Sequence, residues 1–563
     1  MNQKYAFKLM LLSGVCVALL TSIKAEAQTI PRSVEPGRIV RDPSQRQIEP
    51  RQSGPEFFPE EKLDAELIDQ GNAKIVELRG IIIDGSSIYE PDDITGLYSE
   101  YIGERVSFAD LQNIARRVTL KYRNEGYVLS RAVLTPQSIK NGLVHIQVIE
   151  GFVSDVQVLG NFKDKSGLLL KMANKVKNVQ PVNTRELERY LLLIDDLPGI
   201  RARSVLRPSN VKNASQLIIT VEQDLHEGAV SVDNFGSKFL GRNRLNVVVA
   251  ENSLLGRHDR TTVRGIITSQ TDELRFGEFS HEQQIGSEGT RLSLRGGITR
   301  TEPGASLEVL EIEGDSETLS LNVLHPYFRS RQYNVNFLGN FSLLNSETRI
   351  LGVTTAEDKV RSISGGASVD FTDKHGGVNQ FDFSLTQGLD IFGATDDGIG
   401  RSRSNGKHNF FRANASAFRV QEIAYDWSLY LSASGQYTPD TLLASEEFGI
   451  GGRAYGRAYD GGEIAGDKGL AGVTELRYGH PVEHRYLRSF QNYAFYDIGK
   501  VWNDDILVGE AKQNSLASAG LGIRLNLVNK ISAQLEVAQP LTRDIGSEGD
   551  DNPRVFFNLL KRW

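Results

Sequence analysis

From about His226 to its last residue the chain repeats one pattern. Apolar and polar side chains alternate in short runs, and turn residues separate the runs. Tyr333, Val335, Phe337, Phe341 and Leu343 alternate with Asn334, Asn336, Asn340 and Ser342; Trp427, Leu429, Leu431 and Ala433 alternate with Ser428, Tyr430, Ser432 and Ser434. The same period appears around Leu292–Leu294, Leu319–Val323 and Phe381–Leu385. A period of two places successive side chains on opposite faces of a sheet, so every strand has one apolar and one polar face. A soluble sandwich turns the polar face outward to water, whereas a membrane barrel turns the apolar face to lipid and the polar face to a wet lumen. Three features favour the barrel. A segment of roughly 340 residues suits about 16 strands at about 20 residues per strand and connection. Its polar face is dense in small amides and hydroxyls, as a watery lumen tolerates. The chain also ends in the strand Val555–Trp563, which carries Phe557 and finishes on an aromatic suited to a membrane interface.

The first 27 residues read as a secretory signal. Lys4 and Lys8 supply the positive start, Leu9–Leu20 an apolar core too short to span a membrane, and Ala25-Glu26-Ala27 a cleavage site, so the mature chain is expected to begin near Gln28. Cys16 is the single cysteine among 563 residues and lies inside this signal. The mature chain is therefore expected to hold no disulfide, thiolate metal site or cysteine nucleophile. No later apolar run reaches about 18 residues, so export without a spanning helix leaves a soluble exported protein or a transmembrane β-barrel. Residues 28–73 hold six prolines between Pro31 and Pro59 among charges and glutamines and show no good helical period; they are expected to be a linker, or a plug segment with Glu60–Gln70 as its short helical part.

Two α+β modules are expected between this segment and the barrel. In residues 74–152, Ile75–Ile83 reads as a strand, and Ser107 caps a helix with Leu111, Ile114, Ala115, Val118 and Tyr122 on one face. Gly126 stops that helix, Tyr127–Leu134 reads as a strand, and Val144, Ile146 and Val148 alternate in another. Residues 153–224 repeat the order. Val156–Leu159 is a strand, Gly167–Val176 a helix, and Asn183-Thr184 caps a second helix with Leu187, Tyr190, Leu191 and Ile194 on its face; Ile200–Leu206 and Leu217–Val221 follow as strands. The barrel is expected over residues 225–563.

Within the barrel one stretch stands apart. Phe448–Tyr478 carries nine glycines between Gly449 and Gly472, with two arginines, Arg453 and Arg457, each inside an identical Gly-Arg-Ala-Tyr. A loop so long and so unusual in composition points to function. Elsewhere there is no G-x-x-x-x-G-K-[ST], no H-E-x-x-H and no G-x-S-x-G, and the nine histidines are scattered. Neither a nucleotide, a metal, a cofactor nor an enzymatic site is expected, and a net charge of −7 gives no footprint for nucleic acid.

These residues resemble a known family, the outer-membrane transporters of two-partner secretion, which form the TpsB branch of the Omp85 superfamily and include the haemolysin-secretion type. Gly126-Tyr127-Val128-Leu129-Ser130-Arg131-Ala132-Val133-Leu134-Thr135-Pro136-Gln137, followed by Gly142-Leu143-Val144-His145-Ile146-Gln147-Val148-Ile149-Glu150-Gly151, is similar to the end of that family's first POTRA domain. The second module resembles its second. The glycine-rich stretch resembles the family's lumenal loop. Counted from Gly451-Gly452, its tip is Arg457-Ala458-Tyr459, with Gly466-Asp467-Lys468-Gly469 after it; Gly456 stands where the family usually has valine. A second motif matches Phe495-Tyr496-Asp497-Ile498-Gly499. The resemblance implies that Asp497 sits on a lumen-facing strand and pairs with Arg457. It further implies a passive protein-conducting pore with POTRA modules in the periplasm, a secreted TpsA-type partner, outer-membrane lipid around the barrel, and the barrel-assembly machinery as a partner during biogenesis. The alternatives are an Omp85-type assembly factor, a nutrient porin, and an exported enzyme or adhesin with a soluble β domain.

Overall fold

The structure, a computed structural model, describes residues 31–39, 73–396, 400–504 and 511–563. The expected signal peptide with Cys16, and the short helical alternative Glu60–Gln70, lie outside the described residues.

The first module packs the helix Phe108–Asn124 on a three-stranded sheet in which Leu143–Ile149 lies between Gly80–Asp84 and Arg131–Val133. The helix starts where Ser107 accepts from Asp110 N–H and Asp110 accepts in return from Ser107 N–H, which satisfies two of its free amide groups. Leu111, Ile114, Ala115, Val118 and Tyr122 form its buried face against Val144, Ile146 and Val148. Two expected strands are shorter than their apolar runs. The segment 75–83 splits into Lys74–Glu77, which pairs with Arg105–Ser107, and Gly80–Asp84, which pairs in parallel with Leu143–Ile149. Between them Leu78 turns fully into the core, and Arg79 N–H donates to Gly142 C=O at 2.8 Å. The segment 127–134 keeps only Arg131–Val133 as a strand, because Ser130 N–H turns back to Tyr127 C=O.

The second module repeats this order with Phe152–Asn161, the helices Leu168–Ala173 and Thr184–Asp195, and the strands Ile200–Pro208 and Ala214–Gln223. Asn183 caps the second helix by accepting from Arg185 N–H at 2.8 Å. Two backbone hydrogen bonds join the modules: Gly126 C=O accepts from Thr184 N–H, and Gly151 C=O accepts from Val182 N–H.

Sixteen antiparallel strands then close into a barrel. They are β1 (His226–Asp233), β2 (Arg244–Asn252), β3 (Arg260–Thr268), β4 (Arg275–Ile285), β5 (Thr290–Thr301), β6 (Glu313–Arg329), β7 (Tyr333–Ile350), β8 (Val353–Thr372), β9 (Val378–Gly388), β10 (Phe411–Ala424), β11 (Trp427–Tyr437), β12 (Lys468–Pro481), β13 (Leu487–Trp502), β14 (Gln513–Leu527), β15 (Ile531–Pro540) and β16 (Arg554–Arg562). Closure leaves no free strand edge in a solvent that cannot hydrogen-bond one. No helix among the described residues is long and apolar enough to cross a membrane. The closing seam is short, with five residue pairs between β16 and β1 against eight between β1 and β2. Beyond it the Asn234 side chain takes over the ladder: its oxygen accepts from Phe557 N–H at 2.7 Å and its nitrogen donates to Val555 C=O at 2.8 Å. At the other end Trp563 lies flat on Gly228, where a Cβ would stand 2.0 Å from the indole.

The second module is fastened to three successive turns at one end of the barrel. Lys165 N–H donates to Gly256 C=O, and His258 lies buried 3.4 Å from Asp164. Glu288 meets Lys175 and Tyr190, and Arg329 forms a two-pronged bond to Asp196 at 2.7 and 3.0 Å.

Candidate functional site: a loop docked inside the barrel

The connection between β11 and β12 folds back into the lumen. Its two arms, Phe448–Ile450 and Ile464–Gly466, pair as a small antiparallel hairpin. The barrel wall makes room for it with glycines. The Phe448 ring lies on Gly469, where a Cβ would be 2.0 Å away, and Ile450 lies on Gly499, where a Cβ would be 2.6 Å away. At the tip the chain reverses through Gly451, Gly452 and Gly456, all with positive φ; a side chain on Gly451 would also strike Asp460 C=O at 2.1 Å.

That reversal aims Arg457 at the wall. Its Nη2 donates to Asp497 Oδ1 at 2.9 Å and its Nε to Oδ2 at 3.1 Å, the planar fork that suits a carboxylate. Asp497 Oδ2 also accepts from the backbone N–H groups of Gly456 and Arg457. The third guanidinium nitrogen, Nη1, donates to Glu475 Oε2 at 2.7 Å and lies 3.7 Å from Glu536. The Phe495 ring centre lies 3.5 Å from the guanidinium carbon, so the charge is stacked on one ring as well as paired. Ala458 and Tyr459 are buried beside it, and the Tyr459 hydroxyl donates to Ala517 C=O.

The twin tetrapeptides take different places. Arg453 pairs with Glu536 at 2.6 Å and stacks on Phe235; its side chain is 14 % exposed against 5 % for Arg457. Arg457 is the one that meets Asp497. Asp467, at the base of the loop, is fully buried and accepts from Arg403 Nη1 at 2.5 Å, Leu442 N–H at 2.7 Å and Asp504 N–H at 3.0 Å. The neighbouring Gly466 lies tight against Trp502 C=O. Phe557 and Trp563 stand apart from all of this, on the outer face of β16 and at its end.

Several site residues have no counterpart in the sequence reading. Glu475 and Glu536 complete the arginine pocket, with Arg524 bonding Glu475 and Tyr493 bonding Glu536. Glu475 is reachable by register alone: it follows the glycine-rich loop on β12, and β12 pairs with β13 so that Glu475 faces Phe495. Glu447 collects three arginines from distant segments, Arg403 at 3.3 Å and Arg32 and Arg38 at 3.6 Å each. Arg32 and Arg38 bring in the residues expected to lack helical period. Pro36–Ile39 makes one helical turn inside the barrel, against β5, β6 and β7, and Pro36 occupies its first position, where a missing N–H costs nothing. Val34 packs with Phe239, Leu240, Phe276 and Leu307. A turn too short to persist alone is held by burial and by Glu447.

Two α+β modules ahead of a sixteen-stranded closed barrel, with an arginine-tipped loop docked in its lumen, define the class: an outer-membrane transport barrel. The sequence profile of the haemolysin secretion/activation proteins ShlB/FhaC/HecB matches residues 213–525, more than half of the chain, and the profile of the ShlB-type POTRA domain matches residues 76–151. The chain belongs to the ShlB/FhaC/HecB family, the outer-membrane transporters of two-partner secretion. The heme/hemopexin transporter protein HuxB of Haemophilus influenzae strain 86-028NP is 25 % identical over 488 residues, covering 84 % of each chain. The outer membrane transporter CdiB of Escherichia coli O6:K15:H31 is 26 % identical over 405 residues, 69 % of this chain and 66 % of the relative. A solved structure of CdiB from Escherichia coli superimposes with a TM-score of 0.74 at 20 % identity, over 93 % of this chain and 96 % of that one.

Proposed function

We propose that this transporter binds an unfolded, exported TpsA-type partner protein through its two periplasmic modules and passes it through the barrel to the cell surface. The partner enters as an extended chain. The strands Phe152–Asn161 and Ile200–Pro208 are the two edges of the second module's sheet, and an edge strand can pair with a peptide backbone of any sequence. With no nucleotide as a drive, folding of the cargo outside supplies direction. The Arg457–Asp497 dock keeps the lumenal hairpin in the position that the working barrel needs, and this buried dock is the observation that carries the reading. Residues 31–39, held by Glu447, occupy the lumen at rest as a plug and leave it for transport. The C-terminal strand, with Phe557 and Trp563, is the segment read by the barrel-assembly machinery during biogenesis.

The test is secretion of a candidate partner from cells expressing wild type, Arg457→Ala or Asp497→Ala, with barrel levels in the outer membrane measured each time. Loss of secretion at unchanged barrel levels is expected; normal secretion by both variants overturns the role of the dock. Deleting residues 28–70 tests the plug, with higher ion conductance expected and unchanged conductance counting against it.

A further inference from the structure

The outer wall of the barrel carries two lysines where the strands around them carry apolar groups. Lys468 opens β12, and Lys500 lies near the end of β13. In register Leu470 faces Lys500 and Lys468 faces Trp502, so the lysines are diagonal neighbours on one face. That face is the outer one, because Leu470, Tyr496 and Ile498 are largely exposed whereas the alternating Ala471, Asp497 and Val501 are buried.

Their depth follows from the other end of the same strands. There Trp427, Tyr478 and Phe490 form a run of rings with centroids 5.1 and 6.2 Å apart, an aromatic belt at the interface nearer the modules. The interval from Tyr478 back to Lys468 is about 33 Å along a strand rising about 3.3 Å per residue. A tilt of about 40° projects this onto about 25 Å, the height of the apolar band of such barrels. Lys500 is equally far from Phe490. Both ammonium groups therefore stand at the outer-leaflet boundary. Each has an aromatic companion: Lys468 Nζ lies 5.6 Å from the Tyr437 ring centre, and Lys500 Nζ lies 5.4 Å from that of Trp502. Lys468 bonds Asp504 at 2.7 Å, whereas Lys500 has no carboxylate partner among the described residues. Three other outward cations of this rim do have carboxylate partners, Arg300 in Asp315, Arg349 in Glu313 and Asp315, and Lys359 in Glu357.

We propose that Lys468 and Lys500, with Tyr437 and Trp502 beside them and Leu470 and Ile498 below, form a binding site for a phosphorylated, acylated lipid of the outer leaflet. Its phosphate sits between the two ammonium groups, and its chains lie along the apolar wall of β12 and β13. Among the described residues two cations stand against one carboxylate here, so an anion completes the site, and a lipid satisfies the charge and the apolar surface together.

The experiment titrates full-length protein in neutral detergent with bis-phosphorylated lipid A, followed by native mass spectrometry. Lysine-to-alanine changes at the two positions are expected to weaken binding about fivefold each and about twenty-five-fold together, the effect of about 1 kcal/mol per basic residue near an anionic surface. Arginine at both positions is expected to retain binding, and Arg300→Ala, on another part of the rim, to leave it unchanged. Lipid A stripped of phosphate is expected to bind wild type as weakly as lipid A binds the double variant. The proposal is overturned if the double variant binds lipid A like wild type, or if removing the phosphates changes nothing, which makes the site merely apolar. Inorganic phosphate binding as tightly as lipid A makes it a free-anion site and also overturns the proposal. If the double variant lacks the heat-modifiable migration of a folded barrel, Lys500→Gln, which keeps an uncharged stem, decides by the same fivefold criterion.

Discussion

Two sets of charged contacts hold the lumenal loop and the second module to this barrel, and they are built differently. In the lumen, Arg457 is surrounded by Asp497, Glu475 and Glu536 with its side chain 5 % exposed and both wall aspartate oxygens engaged. At the periplasmic rim the shielding is mixed: Glu288 is 41 % exposed and Lys175 43 %, the Arg329–Asp196 fork is 10 % and 19 % exposed, and His258 with Asp164 is buried. Burial changes what such a bond is worth. An exposed pair contributes about 0–1 kcal/mol, since water competes for both partners. A buried pair need not add net stability, but losing one partner strands the other charge without solvent. The loop is thus fixed as though it were part of the wall, while the second module is held partly by the buried His258–Asp164 contact and partly by bonds that water reaches.

The largest effect expected from this contrast is at the loop. Arg457→Ala leaves three carboxylates facing one another and should cost the docked state about 3–5 kcal/mol. Limited proteolysis of purified barrel reads it: the hairpin, protected in wild type, becomes cleavable, and continued protection would show that the glycine-lined seat holds the loop unaided. Joining Asp497→Ala to Arg457→Ala should cost less than the two single effects added, because the pair acts as one unit. Next comes that seat. Gly499→Val puts a side chain into Ile450 and should destabilise docking by about 1–3 kcal/mol without touching a charge, again visible as cleavage. If it leaves cleavage unaltered, the dock is purely ionic.

Smaller changes belong to the rim. Arg329→Ala should cost about 1 kcal/mol and broaden the distance distribution between spin labels on the second module and on the turn after β6. Cys16 is the chain's single cysteine and lies in the expected signal, so single-cysteine labelling starts from a clean background. A distribution as narrow as wild type would mean that the rim is as rigid as the lumen. The smallest effect is with pH. Burial holds the His258 imidazole below its usual 6.5 despite the opposing pull of Asp164 and Asp259. A neutral His258 therefore supports the fold above about pH 6.5, and that support is lost as pH falls through its lowered value. The same label pair should broaden between pH 7.5 and 5, and His258→Gln should remove the change.

What could be read from the residues was whatever repeats or sits close in the chain. The alternation through Tyr333–Leu343 shows which face of β7 is apolar, and Ser107 marks a helix start. The glycine-rich loop announces itself by composition, and a family motif links it to Asp497. The remainder depends on which strands become neighbours. Glu536 lies on β15, and neither its alternation nor its neighbours in sequence point to Arg453 or Arg457. Glu447 gathers arginines from residues 32, 38 and 403, which only the closed barrel brings together. Local patterns likewise overstate strands that tertiary contacts cut short, as at Leu78, and miss a helical turn such as Pro36–Ile39 that exists only because a lumen surrounds it.

The seam between β16 and β1 is where the circle of strands is joined. Five residue pairs, the Asn234 side chain and Trp563 seated on Gly228 make that joint. Without it the sixteen strands would be a ribbon with two bare edges, which the interior of a bilayer cannot hydrogen-bond. The two barrel strands farthest apart in the chain thus decide together that the wall is sealed, and they do so through its shortest pairing.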